Sequence, residues 1–290
     1  MPNKLDKSIS NIKDGLEKKA QATSKALIQG YKRSLTEIRK EVGLIYAKHS
    51  TDGVLDVTRR QRVAILQSLD KKLVKQARRL GALERDIATT AVKTSISEAY
   101  YRTLYEIDRG LSTAVDFSLL NPTFVNKAIT NKIDGKTLSD RVWNNKKILA
   151  NRVKRDVEKA MIQGTPIDKL SRQLKKDYGS SAYESTRLIQ NETKNAVTEA
   201  QLEAYSESGV VDKVMWVSTL DERTRDDHQD FDGNIYDADN PEESPTDYIM
   251  CRCVLVPVIE GWTPSVRRDN ATGEDINYTT YNKWKESRGI

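Results

Sequence analysis

Apolar positions in the first hundred residues recur at the interval of a helix that buries one narrow stripe. Ile28, Tyr31, Leu35, Ile38, Val42 and Ile45 stand 3, 4, 3, 4 and 3 residues apart, the repeat of a two-helix seam. Leu66, Leu69, Leu73, Leu80, Leu83 and Ile87 repeat the pattern, with Gln76 at its polar position. Between the runs, His49-Ser50-Thr51-Asp52-Gly53 supplies the Asp-Gly pair of a tight reversal. The pattern predicts two antiparallel helices packed seam to seam. Helical spacing continues through Ala88, Ala91, Val92, Ile96, Ala99, Tyr100 and Leu104. Gly81, about 1 kcal/mol worse than Ala inside a helix, marks a candidate break or bend.

The pattern fails at Asn121-Pro122, and Asn121 to Lys136 has the Asn-Pro and Asp-Gly chemistry of a loop. Leu138, Val142, Leu149, Val153, Val157 and Met161 then mark an amphipathic helix ending at Gly164, with Pro166 just beyond. A short helix from Ile167 to Tyr178 is expected to break at Gly179. Ser180 or Ser181 would cap the next, whose stripe is Ile189, Ala196, Val197, Ala200 and Ala204. After Gly209 the period changes to two. Residues 211–217 read as a strand and 253–258 as a second, with a polar, acidic loop from Asp221 to Met250 between them.

The predicted fold class is α+β and predominantly α-helical, a long N-terminal helical hairpin followed by a helical and small β-sheet module. Its expected divisions are an extended, coiled-coil-like basic region over 1–120, a linker over 121–137, a module over 138–260 and a C-terminal tail over 261–290. The longest apolar runs fall short of the ~18 residues of a membrane span, and the first ten residues lack the apolar stretch of a secretory signal. The expectation is a protein made and held in a cytoplasm, without membrane contact. With 290 residues and only 2 cysteines, Cys251 and Cys253, the chain has no disulfide framework.

Charge separates along the chain. Residues 1–120 carry 23 Lys+Arg against 14 Asp+Glu, residues 121–210 carry 16 against 11, and residues 211–290 carry 9 against 17. Such a division suits a protein that meets DNA with one region and protein or metal with another, though long solvated helices also collect Lys and Arg without such a role. Lys71, Lys72, Lys75, Arg78 and Arg79 are the candidate contacts to nonspecific double-stranded DNA or to a partner chain. No helix-turn-helix or RNA-recognition signature accompanies them.

The acidic loop concentrates the unusual chemistry. Cysteines two positions apart at a strand entry present both sulfurs to one side, and His228 lies in the loop bracketed by the two strands. With Asp221 or Asp232 as a fourth ligand, His228, Cys251 and Cys253 form a donor set that suits zinc. The alternative is two reduced, packed thiols and a histidine that orders the loop by hydrogen bonding.

The ordered run Trp216, Asp221, Arg223, Arg225, His228, Asp232-Gly233, followed by Cys251-Arg252-Cys253 and Pro257, resembles the signature of the phage Mu F-like minor head proteins, also called head morphogenesis proteins. Arg187, Glu192 and Thr193, and the helices from Val142 to Tyr178 with Gly164 at their turn, resemble the upstream half of that domain. The resemblance spans roughly residues 138–260. It implies a non-enzymatic minor capsid protein of a tailed double-stranded DNA phage, which associates with the portal during procapsid assembly and acts in DNA packaging or ejection. Scaffolding or major capsid protein would be further partners. The location would be the virion, at the capsid interior or portal vertex, after assembly in the host cytoplasm. Two other readings stand beside it. One is a metal-dependent hydrolase or toxin-related enzyme using His228 with Asp221, Asp227 and Asp232; the other is a nonspecific DNA-binding protein.

Overall fold

The computed structural model describes residues 5–111, 118–132, 135–259 and 266–288. Two compact units emerge, one from residues 21–90 and 129–189, the other from residues 1–20, 91–128 and 190–290. Helices α1 (Leu5–His49), α2 (Arg59–Leu111) and α5 (Ile167–Ser208) each give one segment to either unit.

The first unit is helical. Segments of α1, α2 and α5 accompany α4 (Leu138–Gln163), and α1 turns into α2 through a two-residue hairpin of β1 (Ser50–Thr51) and β2 (Val54–Leu55). Asp52 and Gly53 sit at φ of 49° and 79°, the left-handed pair that a tight hairpin with matched strand twist demands. The predicted α1 seam is rotated. Leu27, Tyr31, Ile38, Val42 and Tyr46 are buried, whereas Ile28 is 38% exposed. Helix α4 follows its predicted stripe, with Leu138, Val142, Leu149, Val153, Val157 and Met161 all buried. Thr137 and Asp140 close a reciprocal capping box at its start, and Gly164 ends it at φ 63°.

The candidate break or bend at Gly81 and the expected break at Gly179 both lie inside continuous helices. Helix α2 runs unbroken through Gly81, because the missing side chain leaves room for the Trp143 ring of α4. Helix α5 runs through Gly179, held on either side by side chains that bond into the core. Tyr178 meets Ser34, and Ser181 and Ser185 meet the Tyr31 hydroxyl at 3.1 and 2.8 Å. At the centre of this unit the buried Lys146 ammonium pairs with the buried Glu84 carboxylate, donates to Tyr31 Oη and Ser185 Oγ, and lies over the Tyr31 ring.

The second unit holds the sheet. β3 (Lys213–Val217) is central, flanked antiparallel by β4 (Ile235–Asp237) and β5 (Val254–Val258), with Met215 opposite Val256 and Trp216 opposite Leu255. Helix α5 is fastened to β5 by Tyr205 Oη donating to the Leu255 carbonyl at 3.0 Å, and to α1 by Gln201 donating to the Ile9 carbonyl at 3.3 Å. The stretch expected as a loop contains a helix, α3 (Pro122–Thr130), whose start is capped by the Asn121 side chain accepting from Thr123 N at 2.8 Å. Short α6 (Asp226–Phe231) stands inside the acidic loop. After residue 265 the chain folds into a β6–β7 hairpin (Val266–Asp269, Glu274–Asn277) and helix α7 (Tyr281–Arg288), whose Tyr281 and Trp284 pack on Leu220.

Candidate metal centre

Three local devices converge at one buried point of the second unit. β5 is preceded by Cys251 and Cys253, α6 presents His228, and β3 supplies the Trp216 floor. His228, Cys251 and Cys253 are 2%, 3% and 2% exposed, and their ligand atoms all lie within 4.8 Å of one another. His228 Nδ1 stands 3.5 Å from Cys251 Sγ and 3.4 Å from Cys253 Sγ. A tetrahedral zinc with Zn–S of ~2.3 Å and Zn–N of ~2.0 Å sets N···S separations of about 3.5 Å. The two nitrogen–sulfur separations are thus those such an ion would set.

The other ring nitrogen lacks the hydrogen bond that usually accompanies a ligating histidine. His228 Nε2 is buried with no hydrogen-bond partner, and the nearest carboxylate, Asp227 Oδ1, is 3.9 Å away. A metal on Nδ1 would leave the proton on Nε2, where a second partner customarily orients the ring. The Cys251 thiol is lowered to about 5, chiefly by its hydrogen bond with Cys253 and then by the nearby Lys13 and Lys194 ammoniums. Metal binds the thiolate form, which this lowering favours at Cys251, while the same hydrogen bond and burial raise the Cys253 thiol.

Asp221 and Asp232, the candidate fourth ligands, are committed elsewhere. Asp221 accepts two hydrogen bonds from the Arg252 guanidinium and two from Arg223, one of them backbone, and the Arg252 bond holds its carboxyl down at about 2. Asp232 accepts from Arg267 at 2.8 and 3.2 Å, from Ser218 N at 2.7 Å and from Tyr281 N at 2.6 Å. Both carboxylates brace the backbone around the three donors and stand outside the ligand group. The donor set is Cys2His with one coordination position unassigned.

The remaining motif residues have positions that explain their types. Trp216 is fully buried, edge-on to His228 at 5.2 Å between ring centroids, and its Nε1 donates to Ser218 Oγ, which in turn donates to the His228 carbonyl. Gly233 turns at φ 88° so that its N–H returns to the Trp216 carbonyl, a conformation that strongly favours glycine. Arg225 donates to the Ile249 carbonyl at 2.7 Å, fixing the approach to Cys251.

Other contributors come from far along the chain. Lys13 of α1 is buried and donates to the Cys253 carbonyl, and it also reaches Thr198. Asn191 of α5 accepts from Met250 N at 2.8 Å, holding Met250 at φ 58°, the rare left-handed region, immediately before Cys251. Lys13, Asn191 and Arg267 sit in stretches whose pattern reads as ordinary helix or tail. Their burial was the only signal, and it is not visible in one sequence.

Lys71, Lys75 and Arg78 lie in the first unit, exposed on α2. Lys72, also exposed, pairs with Glu41, and Arg79 borders a groove between α1 and α2.

Comparison with known proteins bears on the span that builds this centre. The phage Mu protein F like family matches residues 151–256, which include Trp216, His228 and both cysteines. Over that span the chain is similar to the phage Mu F-like family. The match to minor head protein GP7 of Bacillus phage SPP1, 24% identical, covers 98% of this chain and 96% of that protein. The NAD(+)–arginine ADP-ribosyltransferase EFV of Enterococcus faecalis is also 24% identical over 92% of this chain, which spans only 58% of that protein's length. An uncharacterized protein of Haemophilus influenzae is 27% identical over 47% of this chain and 31% of its own length. No solved structure matches the chain. Among the described residues no helix is long and apolar enough to cross a membrane.

Proposed function

We propose that this protein is a minor head component of a tailed double-stranded DNA phage, carried in the virion at the portal vertex or capsid interior. The observation that carries this reading is the end-to-end match with GP7, 98% of one chain against 96% of the other. By contrast, 42% of the ADP-ribosyltransferase lies outside its match, since the chain spans 58% of it. A non-enzymatic role also agrees with the site. The carboxylates a hydrolase would draw on, Asp221 and Asp232, are held by Arg252 and Arg267. Zinc at His228, Cys251 and Cys253 would serve to pin the acidic loop to the sheet, supplying stabilisation that its few apolar residues do not.

The basic helices would meet the portal, and the packaged or ejected DNA would lie against α2. Arg60, Lys71, Lys75, Arg78 and Arg85 follow one another at 11, 4, 3 and 7 residues, which places them within one narrow arc of the helix over about 38 Å. Four of these five cations, all but Arg85, have no ion-pair partner among the described residues, and a stripe of this kind suits nonspecific contact with phosphates. The deciding experiment is quantitative mass spectrometry of purified procapsids and mature heads. The chain is expected at a copy number far below the shell protein and in fixed ratio to the portal. Recovery solely from the soluble fraction of infected cells would refute the proposal.

A further inference from the structure

The hairpin end of the first unit carries a groove that no part of the proposed role has used. Its floor and walls are Leu44 and Ile45 from α1 and Ala64, Ile65 and Leu69 from α2, and it encloses about 430 Å³. Leu44 is 56% exposed there, and neighbouring Val63 is 49% exposed. Two antiparallel helices with an apolar trough between them are a seat for a third helix, which would lay alternate turns into the trough.

The charge around the trough selects the chemistry of that helix. Residues 40–79 carry 10 Lys+Arg against 4 Asp+Glu. Lys48 borders the groove without an ion-pair partner among the described residues, and Lys72 borders it paired with Glu41. We infer that this groove binds an acidic amphipathic helix of another protein, with leucine-like anchors in the trough and carboxylates against the basic rim. A second copy of this chain would bring an equally basic hairpin to the same place, and like charges would oppose it. Duplex DNA has no apolar face for Leu44 and Ile45, and its phosphates find a better track on the α2 stripe. The chemistry of the groove stands whether or not the chain is a head component.

The test uses the full chain and synthetic helices of about 21 residues, roughly 30 Å long. One has leucines at i, i+3, i+4 and i+7 with glutamates elsewhere, a second replaces the glutamates by lysines, and a third keeps the glutamates but has alanine for leucine. Fluorescence anisotropy should show the acidic leucine helix binding at least tenfold tighter than either control. L44E, at an exposed position where folding is unaffected, should weaken it at least tenfold while circular dichroism stays unchanged. The triple variant K71E/K75E/R78E should retain the peptide preference and lose affinity for a 30-base-pair duplex. Equal binding of the acidic and basic leucine helices, or indifference to L44E, overturns the inference. So does a concentration-dependent dimer in sedimentation that L44E abolishes, because a second copy would then be the occupant. Failure with these peptides leaves the head-protein reading untouched, since that reading is decided by procapsid content.

Discussion

Asp221 shows how much a single carboxylate organises around the candidate metal centre. It joins the loop after β3 to the residue between the cysteines through Arg252, and its carbonyl receives the Tyr281 hydroxyl of α7. Its folded value, about 2, is below the ordinary 3.8 because the Arg252 hydrogen bond favours the anion. That contribution to stability is therefore complete above about pH 4 and is lost as pH falls toward 2. Thermal denaturation of wild type and Asp221→Asn across this window should show the wild type losing its advantage on acidification and the variant nearly flat by comparison. At the ligands themselves, Cys251→Ser and Cys253→Ser should each abolish stoichiometric zinc in elemental analysis and lower the melting temperature, whereas a serine at an exposed position should do neither. His228, Cys251 and Cys253 were legible as a group because a strand entry aims alternate side chains one way. The role of the aspartates was not, since only the fold brings Arg252 and Arg267 to them.

Elements were legible where local pattern and tertiary packing agree, as in the α4 stripe, β3 and β5. They were illegible where packing overrides propensity. Gly81 reads as a candidate break or bend and Gly179 as a break, and both lie inside continuous helices, yet for different reasons that mutation can separate. A Cβ at Gly81 would intrude on the Trp143 ring, so Gly81→Ala should destabilise by roughly 1 to 3 kcal/mol as an overpacked contact. A Cβ at Gly179 meets nothing within 4 Å, so Gly179→Ala should stabilise by up to about 1 kcal/mol through helix propensity alone. Urea titrations of both variants distinguish them by sign. Another invisible determinant is the Lys146–Glu84 pair, where each helix of the unit offers a polar group to the same buried point. Burial pushes the Lys146 ammonium below its ordinary value while Glu84 opposes that shift. Lys146→Met should cost about 3 to 5 kcal/mol by stranding Glu84, and adding Glu84→Leu should recover most of it, because a buried pair is costly to halve and cheap to replace. A double-mutant cycle in urea measures the coupling.

Across the whole molecule, charge rather than shape separates the functions proposed. The excess of 23 against 14 charged residues in 1–120 reverses to 9 against 17 in 211–290. Affinity for duplex DNA should therefore fall steeply with salt, and K71E/K75E/R78E should flatten the slope of log K against log salt by about 3, near one unit per phosphate contact removed. Binding isotherms at several salt concentrations check it. Chain order, by contrast, is a poor guide to the units, since both draw on early and late residues.

The contact of Lys13 with the Cys253 carbonyl spans 240 positions, and it has a consequence for synthesis. At ribosomal speeds of about 5 to 20 residues per second, the first helix waits roughly 12 to 48 s for the strand that completes its surroundings. Closure of the centre is then a terminal event of translation. A chain released early, before codon 251, keeps most of its helices but has neither sulfur, and its buried lysine is left without the carbonyl it folds onto.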